Sequence, residues 1–357
     1  MAIETNKKME NVIWINKDQW YKEGMRNTSH SQVENYSSCS LKWALQKVFK
    51  VPEGWSEKLA FGNVHHTCIE AFLKHQMKTK STDRDEYLNL LYPIWHESFA
   101  NEFKDSTLDP GEFLEMQSMS KASIPTIVDY FLQAGYEVVN VKDNNGNIIP
   151  AIELGIATPI ENPITKKARE DYYLLMFIDA IVRDKQGRIM ILDHKTSAKR
   201  YSDSKLETSN QLPLYVYGTT QLFKDNGLKY DNLVGYDVFL KQKKLAIEPY
   251  EKYVEYKDIE RMLVNVNMAL DGMSKKCYCP STLDMAHNFC SYYDTCFKNS
   301  ENGEVNLKNI YRFMMENSVE LEDNMEASNV TRPVTGTNNI QEEKSGGEPD
   351  GSTLLDW

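Results

Sequence analysis

The chain has 357 residues, 41% hydrophobic and 26% charged, enough to bury one large core or two smaller ones as a soluble globular protein does. No apolar run approaches the ~18–20 residues of a membrane span, and the opening MAIETNKKMENVIWINKDQW lacks the basic-then-apolar layout of a secretory signal, so a cytoplasmic protein is expected (host cytoplasm if phage-encoded). The net charge of −11 argues against a nucleic-acid partner only until it is located: residues 316–357 hold ten acidic and two basic side chains, which leaves −3 for the rest and room for a locally basic groove.

In chain order, residues 1–35 are polar with scattered aromatics and read as an N-terminal extension. The stretch 36–50 predicts a helix with Ser37 or Ser38 as N-cap, Cys39 in its first turn and an apolar face of Leu41, Leu45, Val48 and Phe49. A second helix is expected over 57–78, where Gly62, His66 and Glu70 are spaced four apart and share one face, and more helix across 84–136. From about 137 the pattern changes to short β-type runs separated by Asp143-Asn144-Asn145-Gly146 and Asp184-Lys185-Gln186-Gly187. A helix at about 210–225, a strand at 233–241 and a helix at 257–273 follow. Residues 317–351, acidic and rich in Ser, Asn, Gly and Thr, read as disordered, ending in the apolar tip Leu354-Leu355-Asp356-Trp357. An apolar tip on an acidic tether suits docking onto a partner such as a replication or recombination protein.

Residues 172–196 predict a β-hairpin whose loop is Lys185-Gln186-Gly187, with Gly187 at the φ > 0 position. Symmetry about Gln186 sets Asp179 against Asp193, and Lys195 follows on the same face as Asp193. Opposed carboxylates repel unless a divalent cation lies between them, and oxygen ligands of this kind suit Mg²⁺ or Mn²⁺. A lysine beside such a metal can orient a water and stabilise charge developing on a phosphate.

The order Gly62-x-x-x-His66, Ile178-Asp179, Asp193-x-Lys195-Thr196 and Gln211-x-x-x-Tyr215 resembles the PD-(D/E)xK nuclease superfamily, and within it the RecB-type exonucleases, over roughly residues 33–300. The resemblance implies a restriction-endonuclease-like α/β (α+β) core: a mixed central sheet flanked by helices, a helical N-terminal part and a cysteine-rich C-terminal clasp. The nuclease domain would span 36–315, with its catalytic core at about 137–245. It implies a metal-dependent deoxyribonuclease, an exonuclease acting on DNA ends in recombination, repair or phage DNA metabolism. The alternative is a catalytically silent DNA-binding or scaffold subunit on the same fold. His66, Asp179, Asp193 and the backbone carbonyl of His194 would bind Mg²⁺ or Mn²⁺, Lys195 would assist the attacking water, and Gln211 and Tyr215 would sit beside the site. Glu70 and Glu153 are weaker candidates. Phe177 stands where relatives often carry glycine, which narrows the approach to Asp179.

Six cysteines in an intracellular chain are read as thiols or metal ligands, and Cys277, Cys279, Cys290 and Cys296 fall close together. The resemblance implies an iron–sulfur (4Fe–4S) site that joins Cys39 to Cys290 and Cys296, with Zn²⁺ as the other option. The fourth place falls to His287, or to Cys277 or Cys279 from upstream. Cys68, within the turn from His66 to Glu70, is expected in the core.

Overall fold

The computed structural model describes residues 12–242, 245–282, 287, 290–298 and 306–327. The Leu354–Trp357 tip lies outside these residues. The N-terminal stretch, opaque in sequence, supplies β1 (Ile13–Trp14), α1 (Lys17–Trp20) and β2 (Arg26–Thr28). Two helices follow, α2 (His30–Ser38) and α3 (Ser40–Lys47), where one was expected over 36–50. The break falls at Cys39, whose extended backbone (φ −160°, ψ 100°) and sulfur, accepting from the Lys42 N–H at 3.4 Å, cap α3 in place of Ser37 or Ser38.

Three longer helices form a layer: α4 (Glu57–Thr79), α5 (Arg84–Glu102) and α6 (Pro110–Ala134). Each starts at a side chain that accepts its orphan amides, namely Ser56, Asp83 and Asp109, the last with Glu112 in a capping box. Gly135 (φ +63°) ends α6, as a residue without Cβ does at low cost. Phe61, Phe72, Tyr87, Leu91, Ile124, Ile127 and Phe131 are fully buried where these helices pack on each other and on the sheet.

Then come β3 (Glu137–Val138), β4 (Asn140–Lys142), β5 (Ile148–Pro150), β6 (Ile152–Glu161), β7 (Ala168–Arg183) and β8 (Ile189–Ser197). After α7 (Asp203–Thr208) and α8 (Gln211–Asp225), β9 (Leu233–Leu240) returns parallel to β8, and β10 (Ala246–Tyr253) pairs antiparallel with β9. The sheet runs β1-β6-β7-β8-β9-β10, with β2 and β3 also on β7, while β4 and β5 form a ribbon of their own. It is mixed, as a fold needs when an α-helical crossover feeds a parallel strand between antiparallel neighbours. β1 and β2 lie in the stretch read as an extension, yet both pair into this sheet.

α9 (Tyr256–Ser274) joins α8 on the face opposite the α4–α6 layer, over a core that includes Ile178, Ile191, Leu212, Val216, Val266 and Leu270. α10 (Tyr293–Phe297) and α11 (Asn306–Ala327) complete the described chain. α11 continues past residue 316 into the stretch read as disordered. Leu307, Ile310 and Met314 pack one face of its first turns with Leu41, Leu45 and Tyr292, and a helix nucleated in this way propagates at one hydrogen bond per residue. Among the described residues, no helix is long and apolar enough to cross a membrane.

Candidate metal and nuclease site

The β7–β8 hairpin keeps the register centred on Gln186: Arg183 pairs with Ile189, Val182 with Met190, Ile181 with Ile191 and Ala180 with Leu192. Gly187 takes φ +82°, and the Asp184 carboxylate closes the loop by accepting from the Gln186 and Arg188 amides. The ladder then stops one step short of Asp179 and Asp193. Those two do not form a ladder pair; instead the Asp179 carboxylate accepts the His194 N–H at 2.7 Å. On this flank β7 is paired by β2 at Tyr172–Leu174 and by β8 from Ala180 onward. In the interval the Tyr215 hydroxyl reaches the Phe177 carbonyl at 3.4 Å.

The other flank of β7 changes too. β6 pairs Ile152 with Ala180 and Leu154 with Ile178, a register that brackets Glu153 and Asp179. Regular alternation would put Ile178 and Ala180 on one face. Ile178 and Leu154 instead pack under α8 and α9, and Ala180 and Ile152 pack under the α4–α6 layer. Both strands therefore turn over at the same step, and Glu153 makes its turn with φ +50°. A non-glycine residue held there costs on the order of 1–3 kcal/mol, so its surroundings must hold it in place.

This turnover gathers three donors. One ligand atom from each of His66, Glu153 and Asp179 lies within 4.8 Å of the others, and among the described residues no other group of three such side chains does so. His66 enters from α4, its Nδ1 3.5 Å from Asp179 Oδ2, where Gly62, one turn earlier, lies against Thr196 of β8. Glu153, the weaker candidate in the sequence, stands in this group. Glu70 does not; it pairs with Lys74 one turn further along α4. His65 points into the core, buried beside the Phe61 carbonyl at 2.8 Å, and burial lowers its imidazole to about 4. Cys68 is fully buried, and desolvation pushes its thiol up to about 12.

Asp193 belongs to a second constellation, on the α8 side. Its Oδ2 meets Lys195 Nζ at 2.6 Å, and its Oδ1 accepts from Gln211 Nε2 at 2.8 Å and from the Tyr215 hydroxyl at 2.7 Å. Burial pushes the Asp193 carboxyl up, but the Lys195 ammonium and the Tyr215 hydroxyl outweigh it and hold the group below the usual carboxylate range. Asp179 lacks such partners. Burial and then the charge on Asp193 push it well above its ordinary value, with the His194 amide opposing only in part. Lys195 is lowered by burial and raised more by Asp193, so it stays protonated.

On the opposite face the His194 ring is buried, its Nδ1 3.7 Å from Asp237 Oδ2 on β9. Asp237 also accepts the Tyr130 hydroxyl from α6 at 2.5 Å. Burial, and then His66, lower the His194 imidazole to about 3. Burial raises Asp237 to about 7, against the pull of Tyr130.

Three of the cysteines come together at the start of α3. Cys39, His287, Cys290 and Cys296 line one small pocket, although no three of their donor atoms come within 4.8 Å of one another. Burial, with Cys290 and Cys39 nearby, raises the Cys296 thiol to about 11. Cys277 and Cys279 are exposed, and it is their backbone that joins the N-terminal helices: Tyr36 donates to the Cys277 carbonyl, and Leu41 and Ser40 donate to that of Cys279.

A family model of the PD-(D/E)XK nuclease superfamily matches residues 27–297. The chain belongs to that superfamily. The matched span takes in both constellations and reaches Cys296, so nuclease chemistry is the family's general activity, DNA the substrate that it implies, and Mg²⁺ or Mn²⁺ its usual metals. Among solved structures the chain is similar to a candidate exonuclease from Eubacterium rectale (13% identity over 74% of this chain and 88% of that one, TM-score 0.40). It is also similar to a protein known as SSO0001 (12% identity over 72% and 93%, TM-score 0.28). No curated protein matches the sequence.

Asp237 generates a pH prediction. Its folded value of about 7 exceeds the ordinary 3.8, so the folded chain keeps a proton that the unfolded chain releases in between. Its contribution to stability is full below about pH 4 and is lost as pH rises through about 7. Asp237→Asn removes that loss and still accepts the Tyr130 hydroxyl. Urea midpoints of variant and wild type should diverge across this window in the variant's favour; a constant difference from pH 4 to 7 would contradict the assignment.

Proposed function

We propose that this protein is a metal-dependent deoxyribonuclease, an exonuclease that hydrolyses phosphodiester bonds at DNA ends during recombination, repair or phage DNA metabolism in the cytoplasm. The observation that carries the reading is the meeting of His66, Glu153 and Asp179 within 4.8 Å, next to the Asp193–Lys195 pair. One imidazole and two carboxylates fit a hard divalent cation. The raised Asp179 carboxyl fits as well, because a cation beside it would relieve the repulsion from Asp193. His66, Glu153 and Asp179 would hold Mg²⁺ or Mn²⁺, and Asp193 and the His194 carbonyl are proposed to complete the set. When bound, such an ion lowers the pKa of a water and draws negative charge from a phosphate oxygen.

The protein's own groups then divide the work. Lys195, kept protonated by Asp193, orients the attacking water and offsets charge that builds on the phosphate. Gln211 and Tyr215 fix the Asp193 carboxylate from α8, so the lysine is aimed by a chain of hydrogen bonds rather than by its own flexible stem. Asp193→Ala or Lys195→Ala should abolish Mg²⁺- or Mn²⁺-dependent digestion of labelled single- and double-stranded DNA ends while the circular dichroism spectrum is retained. Wild-type rates from either variant would refute the role, and an inert wild type with every metal tried would favour a silent scaffold.

We also propose that residues 36–315, together with the strands β1 and β2 that pair into the same sheet, work as one nuclease domain, clasped through Cys39, His287, Cys290 and Cys296 around an iron–sulfur cluster. Tetrahedral Zn²⁺ brings its sulfurs to about 3.8 Å of each other, from bonds of about 2.3 Å. The four donors here are spaced more widely than that, no three of them within 4.8 Å of one another, and such spacing suits a cluster better. Anaerobically purified protein should be brown and carry iron, and Cys290→Ser should lose both; colourless protein with stoichiometric zinc would overturn the cluster. The tip Leu354–Trp357, on its acidic tether, is proposed to dock onto a replication or recombination protein. Deleting residues 352–357 should remove that partner from pull-downs without changing cleavage of naked DNA, and an unchanged set of partners would refute the docking.

A further inference from the structure

Between Tyr172 and Val182 of β7 every side chain is buried except Phe177 and Asp179. The opening that admits solvent to the carboxylate therefore also bares an aromatic ring two residues before it. That ring lies over Gly155 of β6, where a Cβ would come within 3.1 Å of Phe177 Cε1, so the bare glycine lets it lie close to the strand. Phe177 packs with Tyr173, Leu175, Val12, Trp14, Trp20 and Tyr21, on the sheet face that also carries the α4–α6 layer. Asp179 marks the boundary between the two.

The aromatics follow the strands away from the acidic group. Phe177 of β7 is level with Gly155 of β6, and Trp14 of β1 is level with Ala157, one step of two residues, or roughly 7 Å, further along the strands, with the buried Tyr173 another step on at Pro159. Trp14 and Tyr21 are half-buried, with ring centres 5.2 Å apart. The exposed Lys17 ammonium sits 4.3 Å from the Trp14 ring centre and 4.8 Å from that of Tyr21. Partly exposed rings in succession beside a cation offer faces for bases and a charge for phosphate, which is how unpaired strands are held without regard to sequence.

We propose that Phe177, Trp14 and Tyr21 form a stacking track for the bases of a single DNA strand whose phosphate lies at His66, Glu153 and Asp179, with Lys17 on the strand's backbone. The track selects single-stranded ends, because a paired duplex keeps its base faces stacked on each other. This inference rests on the nuclease reading for its substrate, but its test is one of binding. Full-length Lys195→Ala protein in Mg²⁺ is titrated with a single-stranded oligonucleotide carrying 2-aminopurine near one end or the other, and with its duplex. Stacking on the track should quench the probe in the single strand. Adding Phe177→Ala or Trp14→Ala should relieve the quenching and weaken single-strand binding about tenfold, the order expected for one lost base–aromatic contact, with duplex binding unchanged. Phe177→Leu, which keeps most of the packing, should behave as the alanine variant does, and Phe177→Trp should restore binding and quenching. Equal single-strand affinity and equal quenching in the leucine and tryptophan variants would overturn the track. Because the titration reads binding and not cleavage, protein that binds and quenches here but whose wild type cuts nothing in the separate digestion assay would sink the nuclease reading and leave the track standing.

Discussion

The site depends on one interruption in the sheet. β7 is long enough to take β2 along its first half and β8 along its second, and on that flank the ladder lapses between Leu174 and Ala180. Backbone polar groups in a mostly buried place need partners, and here side chains stand in for the missing strand: the Asp179 carboxylate takes the His194 amide, and the Tyr215 hydroxyl, which donates to Asp193, lies 3.4 Å from the Phe177 carbonyl. The gap thus binds a residue of α8 and a carboxylate of β7 into the fold's own hydrogen bonding. Moving either would leave a buried group unpaired, at a cost of about 1–3 kcal/mol.

The same interruption separates two carboxylates that would otherwise repel each other in a low-dielectric crevice. Asp193 goes to the α8 face, where Lys195, Gln211 and Tyr215 keep it ionised. Asp179 stays between the faces with His66 and Glu153, where burial and Asp193 together raise it. One acid is satisfied by protein, and the other is set for a cation. Burial and neighbouring charge decide that difference, since the two residues share one hairpin and one chemistry.

How much of this could be read beforehand follows from where each register is set. The β7–β8 hairpin has a short loop closed by Gly187 and Asp184, so counting outward from Gln186 finds the correct partners as far as Ala180 and Leu192. Counting from the Asn162–Lys167 turn does not find Glu153. Glu161 pairs with Ala168, but a register shift between Pro159 and Glu161 means that the ladder beyond brackets Glu153 with Asp179 rather than with Met176. A bulge of that kind leaves no composition signal, and neither does a left-handed glutamate. β1 and β2 escaped for another reason: strands of two and three residues are too short to show alternation, and they are fixed by pairing with β6 and β7. The break between α2 and α3 hid behind a residue type, since cysteine is an unusual cap and the Ser37-Ser38 pair beside it offered the ordinary one.

The interruption also explains why an aromatic ring can reach solvent in the middle of a sheet. With its strand neighbour gone on one flank and only Gly155 beneath it on the other, Phe177 packs against Val12, Tyr173 and Leu175 and still keeps part of its ring in solvent. Glycine at that position would leave the crevice floor bare; phenylalanine gives it a wall that continues into Trp14 and Tyr21. Metal donors, lysine and wall therefore answer to one constraint. A change that repaired the ladder between β7 and β8 would bury Asp179 and Phe177 together, and the fold would gain hydrogen bonds at the expense of both.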